Sequence, residues 1–276
     1  MMLEVGGLRF HVVDEGKGTP VVLLHGFPDT ARIWRSQIAA LTAAGYRAIA
    51  PDLRGRGRSE RPPSVSDYLL AALVGDVTGI MDALDVERAH VVGHDWGAGV
   101  AWVLASLVPQ RVDHLVVISV GFPGVTRPDL EALQKAWYRL LFLFEGTAEE
   151  LLQKDDWYLF RETLQGRGDV EQYIAELSEP GALTAGLNWY RANLPAGQLL
   201  GPSLQLPPVQ APTLGIFGTE EPYLTEASMV RSKEQVRGAW RYERLEGIGH
   251  WVQLEASERL NTLLLEFLPK RPDVRA

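Results

Sequence analysis

"VVGHDWGAG", residues 91–99, decides how this chain is read. A run of apolar residues arrives at Gly93, and a second glycine, Gly97, follows four positions later. Asp95 stands midway between them, and small, helix-compatible residues come after it. Small residues two positions either side of a central one, where a strand passes into a helix, describe a nucleophile elbow. In such a turn Asp95 projects from the carboxyl end of its strand, into the crevice where open α/β sheets place ligands. Asp is also a favoured helix N-cap. The pentapeptide alone is compatible with both roles.

Working outward, "PVVLLHG" (20–26) is a continuous apolar run, as expected of a strand buried on both faces of a parallel sheet. "LRFHVV", "GYRAIAPD", "AHVVGH" and "VDHLVVISV" read as further strands. Helical spacing covers 30–44, where Ile33, Ile38 and Leu41 share a face, and 68–84, where Leu69, Leu73, Val77, Ile80 and Leu84 form one stripe. Strand and helix alternate, which predicts a mostly parallel, doubly wound α/β sheet. The rhythm stops at 122. From there to 206 the sequence is helical and aromatic-rich, with no convincing strand. It resumes with "PTLGIFG", a helix near 225–236, a strand at "WRYERLE" and a last helix over 257–267. The expected organisation is an α/β core (1–121 and 207–276) interrupted by a helical cap (122–206).

Composition narrows the functional classes. A net charge of −8 offers no basic footprint for nucleic acid or an anionic membrane. With no cysteine there is no disulfide, thiol nucleophile or thiolate metal site, which suits a reducing cytoplasm. "MMLEVGG" has neither the basic nor the apolar region of a leader peptide, and no run of 18 apolar residues spans a membrane. No histidine or carboxylate cluster has metal-ligand spacing, so neither metal nor cofactor is expected.

Three further stretches favour a catalytic Asp95. "LLHGFPD" (23–29) follows a buried strand, and its His-Gly turn can present the backbone N–H of Phe27. Together with the N–H of Trp96 it would form an oxyanion hole. "GIGHWVQLE" (247–255) puts His250 on a glycine-rich loop between the last strand and the last helix. Of six histidines, His11, His90 and His114 fall within strand patterns and read as structural, and His25 reads as a buried histidine bonding loop backbone. His94 adjoins Asp95 but is expected to point away from it. "FGTEEPYLTEA" (217–227) supplies the acid that holds the imidazole tautomer, Glu221, with Glu220 as its rival.

"HGFPD", "PDLRGRGRS", "GHDWGAG" and "GHWVQLE", in this order and spacing, resemble the epoxide hydrolase branch of the α/β-hydrolase fold, with haloalkane dehalogenases as close relatives. The resemblance covers nearly the whole chain. It departs from the family at the acid, usually Asp, where this chain has Glu221. It also implies two lid tyrosines as proton donors: Tyr138, eight residues before Gly146, and Tyr190, in the Asn-aromatic-Tyr-Arg segment 188–191.

The chemistry agrees with the residue types. A carboxylate is already anionic at neutral pH and needs no base to attack a strained sp³ carbon. The expected reaction opens a small apolar epoxide with water to a vicinal diol, through an alkyl ester on Asp95 that His250-activated water cleaves. The alternative is a haloalkane dehalogenase with the same nucleophile and the Trp96 indole on the halide. Phe27 stands where such enzymes often place a second donor. A non-catalytic ligand-binding protein on a hydrolase scaffold could have dropped Asp95 or His250, and this chain has both.

Overall fold

The computed structural model describes residues 1–125, 129–194 and 205–270. Eight strands form one sheet in the order β1-β2-β4-β3-β5-β6-β7-β8. They are β1 (Met2–Val5), β2 (Leu8–Gly16), β3 (Thr19–Leu24), β4 (Tyr46–Pro51), β5 (Ala89–His94), β6 (Val112–Ile118), β7 (Thr213–Gly218) and β8 (Trp240–Leu245). Only β2 runs against its neighbours β1 and β4; the rest are parallel. Every residue of β5 and β7 is buried, which is why these runs show no polar alternation. β1, by contrast, alternates exposed and half-buried positions along "MLEV" and was not anticipated from the sequence.

The core helices are α1 (Arg35–Ala43), α2 (Leu70–Ala83), α3 (Trp96–Leu107) and, after the helices introduced below, the C-terminal pair. In α2, Leu73, Val77, Ile80 and Met81 are buried, and each such side chain contributes about 1.5–3 kcal/mol on leaving water. The helix starts at Leu70 rather than at 68, because Ser64 and Asp67 form a capping box that winds 65–68 into a 3₁₀ turn. α2 packs beside α3, the helix that leaves the Asp95 turn.

Between β6 and β7 the described residues hold α4 (Leu130–Lys135), α5 (Trp137–Phe142), α6 (Thr147–Leu164), α7 (Val170–Leu177) and α8 (Ala182–Asn193). α6 is broken where Lys154 to Trp157 leave helical geometry. α8 seats the group on the core: the Trp189 indole donates to the Arg54 carbonyl (3.0 Å), and the Asn193 amide spans Leu70 N and Tyr68 O, each at 2.8 Å. Within the group, Arg191 makes two 2.8 Å bonds to Glu149, joining α8 to α6. After β7 come α9 (Glu226–Arg231), which gives way to a 3₁₀ turn before 236, then α10 (Val252–Glu255) and α11 (Ser257–Phe267). α1 packs beside α11. Among the described residues no helix is long and apolar enough to cross a membrane.

Candidate active site

Asp95 follows β5 with φ 50° and ψ −122°, a positive-φ conformation that costs a non-glycine residue of order 1–3 kcal/mol. Close packing holds it there. A Cβ on Gly97 would lie 2.1 Å from the Leu24 carbonyl oxygen, and one on Gly93 would lie 2.4 Å from that of Gly97. Strand and helix approach so closely that only glycine fits at either position. Asp95 occupies the N-cap position of α3, but its carboxylate caps nothing in the helix. Instead Oδ1 accepts the Phe27 N–H at 3.0 Å, and the Trp96 amide adds an electrostatic pull on the carboxylate. Oδ2 faces the His250 Nε2 at 3.9 Å. Burial pushes the Asp95 carboxyl up, against the opposing pull of His250 and the two amides.

His250 lies on the loop after β8. Its Nδ1 is 2.6 Å from Glu221 Oε2, and both side chains are 3% exposed or less. Glu221 Oε1 accepts the Tyr223 N–H at 2.9 Å, so both carboxylate oxygens are fixed. Glu220, the rival in the sequence, turns outward to Arg167 at 2.6 Å. Burial lowers the His250 imidazole, but Glu221 and, farther off, Asp95 and Asp29 outweigh it and hold it at about 9. His94 points away from Asp95 and under His250: the rings are 4.6 Å apart and its Nε2 donates to the His250 carbonyl at 2.9 Å.

The turn that presents Phe27 N–H is braced from beneath. The Leu53 N–H donates to His25 Nε2 (2.9 Å), so the proton sits on Nδ1, which donates to the Gly26 carbonyl (2.8 Å). Burial pulls this imidazole down to about 4, consistent with a neutral structural ring. Arg56, from "PDLRGRGRS", is fully buried and donates to the Pro28 and Asp29 carbonyls. Neither Arg56 nor Asp29 stood out in the sequence, although both lie in quoted motifs. Asp29 is 1% exposed and accepts from the Tyr173 hydroxyl (2.6 Å) and the Trp251 indole (3.2 Å). Burial raises its carboxyl to about 7.

Asp95 and His250 open onto a cavity roofed by the inserted helices. Phe27, Tyr138, Phe142, Phe160, Tyr190 and Trp251 supply most of its wall. Tyr138 (α5) and Tyr190 (α8) meet edge to face with centroids 6.1 Å apart, and Tyr190 stands edge-on to Trp96 at 5.1 Å. Burial raises both phenols, Tyr190 well above its ordinary value, whereas Arg139 beside Tyr138 works against the rise there. Tyr223 also lines the cavity, packed on His250 at 5.1 Å. Position alone does not mark it in sequence, since it reads as one more aromatic two residues past Glu221. Tyr158 is exposed on α6. The residues singled out from sequence thus converge: Phe27, Asp95, Tyr138, Tyr190 and His250 line one cavity, Glu221 stands behind His250, and Trp96 lies beneath Tyr190.

Comparison with known proteins identifies the family. The α/β-hydrolase fold family matches residues 19–257. Epoxide hydrolase A of Mycobacterium tuberculosis is 33% identical, over 97% of this chain and 96% of its own. Among solved structures, epoxide hydrolase A of Mycobacterium thermoresistibile superposes with a TM-score of 0.81 at 31% identity, covering 98% of both chains. Epoxide hydrolase VrEH1 of Vigna radiata gives 0.83 at 32% identity, over 97% of this chain and 96% of its own. The chain belongs to the α/β-hydrolase fold family, in its epoxide hydrolase branch.

Proposed function

We propose that this enzyme opens a small apolar epoxide to a vicinal diol through a covalent ester on Asp95. The observation that carries the reading is the division of labour within one carboxylate. Oδ1 is pinned by the Phe27 amide, while Oδ2 is turned toward His250 and the cavity. Oδ2 attacks an epoxide carbon, the C–O bond of that carbon breaks, and the departing alkoxide takes a proton from Tyr138 or Tyr190. The ester leaves Asp95 uncharged. With that negative charge gone, the His250 imidazole loses one of the charges that raise it and is favoured in its neutral, basic form. It then removes a proton from water, and the hydroxide adds to Asp95 Cγ. Negative charge develops on Oδ1, which already accepts the Phe27 amide, with the Trp96 amide drawing on the same carboxylate. The Cγ–Oδ2 bond breaks, the diol leaves with the proton from His250, Asp95 keeps one oxygen from water, and the second proton of that water passes from the Asp95 carboxyl to the tyrosinate, restoring both groups. Glu221 holds the proton on Nδ1 and stabilises the imidazolium. Residues 122–206 act as the cap that supplies the tyrosines and the apolar roof.

The haloalkane reading has less support. The Trp96 ring stands edge-on to Tyr190 at 5.1 Å, so it packs on a group that halide displacement does not need. His250→Gln tests the proposal. Exposure to styrene oxide is expected to leave an ester adduct visible by intact mass, with turnover lost. An unmodified mass together with continuing diol formation refutes the two-step route.

A further inference from the structure

Glu221 and His250 stand on two separate loops of the core, and Arg167, from the inserted helices, reaches both loops. Arg167 sits in the turn between α6 and α7. Its Nη2 donates to Glu220 and its Nη1 to Glu255, each at 2.6 Å. Glu220 directly precedes Glu221, and its backbone N–H donates to the Ile248 carbonyl at 2.9 Å. Glu255 works on the other loop. Its Oε2 accepts the Gly249 N–H (2.9 Å) and its Oε1 the Trp251 N–H (3.2 Å), the two amides that flank His250.

The His250 loop is shaped to receive this arginine. A Cβ on Gly249 would lie 2.2 Å from Arg167 Nη1 and 2.9 Å from its Cζ. Any larger residue at 249 displaces the guanidinium. The Glu220 arm is exposed, and such an ion pair contributes about 0–1 kcal/mol to stability, so fold stability alone gives little reason for that arm. The planar guanidinium does suit a two-pronged bridge, since its fork presents separate N–H groups at fixed angles.

We propose that Arg167 is a positioning residue for ester hydrolysis, clamping the Glu221 loop to the His250 loop so that the imidazole stays aimed at the Asp95 ester. The inference rests on the mechanism above. Attack by Asp95 on the epoxide needs no proton from His250, whereas cleavage of the ester does. A loosened clamp therefore acts on the second half-reaction alone.

The experiment is single-turnover kinetics of Arg167→Met with styrene oxide, following ester formation and ester decay separately. Decay is expected to slow about tenfold, within the hundredfold that a 1 Å misplacement can cost, with formation held within about twofold. In the steady state kcat and KM fall together and kcat/KM is kept. Arg167→Lys, whose single ammonium lacks the fork, gives an intermediate decay rate. Decay at the wild-type rate, or an equal fall in both half-reactions, overturns the proposal. Should Arg167→Met fail to fold, Glu220→Gln removes one arm of the clamp at a half-exposed position. It is expected to slow decay alone, and an unchanged decay rate there overturns the proposal equally. His250→Gln is run in parallel. No ester in that variant refutes the Asp95 mechanism, whereas trapped ester with normal decay in Arg167→Met refutes the clamp and leaves the mechanism standing.

Discussion

Glu221→Gln preserves the volume of the acid and removes its charge. Two of its effects follow from geometry. The wild-type carboxylate accepts from Nδ1 at 2.6 Å and from the Tyr223 amide at 2.9 Å. A glutamine that keeps its carbonyl on the Tyr223 amide must turn its NH2 toward His250. Nδ1 then becomes the acceptor, the proton moves to Nε2, and the atom that faces Asp95 can no longer serve as a base. The second effect is the loss of imidazolium stabilisation. His250 is held at about 9 against an ordinary 6.5, which corresponds to about 3 kcal/mol in favour of the cation. Burial opposes that net figure while Asp95 and Asp29 add to it, so about 3 kcal/mol sets the scale of the loss, on the order of 100-fold in rate. Ester formation does not use the imidazole as a base and is expected to change less than about threefold. Stopped-flow tryptophan fluorescence separates the steps, because Trp96 and Trp251 lie close to Asp95 and His250. Quenched samples give the ester by mass. Equal slowing of both steps, or ester decay within about threefold of wild type, refutes the role assigned to Glu221.

Two other outcomes are expected. Tyr138→Phe combined with Tyr190→Phe removes the acid for the alkoxide and slows ester formation by at least about 100-fold, and unchanged formation would shift the reading toward halide displacement. Asp29 makes stability depend on pH. Its folded value of about 7 lies above its unfolded one, so the native state binds the proton more tightly. The contribution is greatest below the unfolded value and is lost as pH rises through 7. The stability difference between wild type and Asp29→Asn, from urea midpoints over this range, is therefore expected to move against the wild type with rising pH, and a flat difference excludes the shift.

Much of this was legible because the informative residues are local in sequence. The apolar stretches within β3, β5 and β6 mark buried parallel strands, and the loss of that rhythm marks the inserted helices. Gly93 and Gly97 announce a close approach before any partner is known. The choice between Glu220 and Glu221 was not available from sequence. Adjacent loop residues point in opposite directions, and the turn at Pro222 and Tyr223 sends one inward and the other toward Arg167. The Asp29–Tyr173–Trp251 group was equally hidden, since its members lie 144 and 222 positions apart along the chain. β1 was missed because four residues are too few to display a period. The break in α6 has no sequence signal: "LQKDDWY" contains neither proline nor glycine.

The amide of Phe27 spends the resting state bonded to an oxygen of the attacking group itself. That arrangement bears on which molecules the enzyme can process. A lactone or an acyl ester would need these same donors for its own carbonyl, and finds them taken by an atom covalently fixed to the protein. Electrophiles that react at a tetrahedral carbon make no such demand. On the proposed mechanism, an ester substrate therefore meets occupied donors as well as a nucleophile weak toward acyl carbon. Exchanging Asp95 for serine would vacate the donors and remove that barrier without altering the cavity wall.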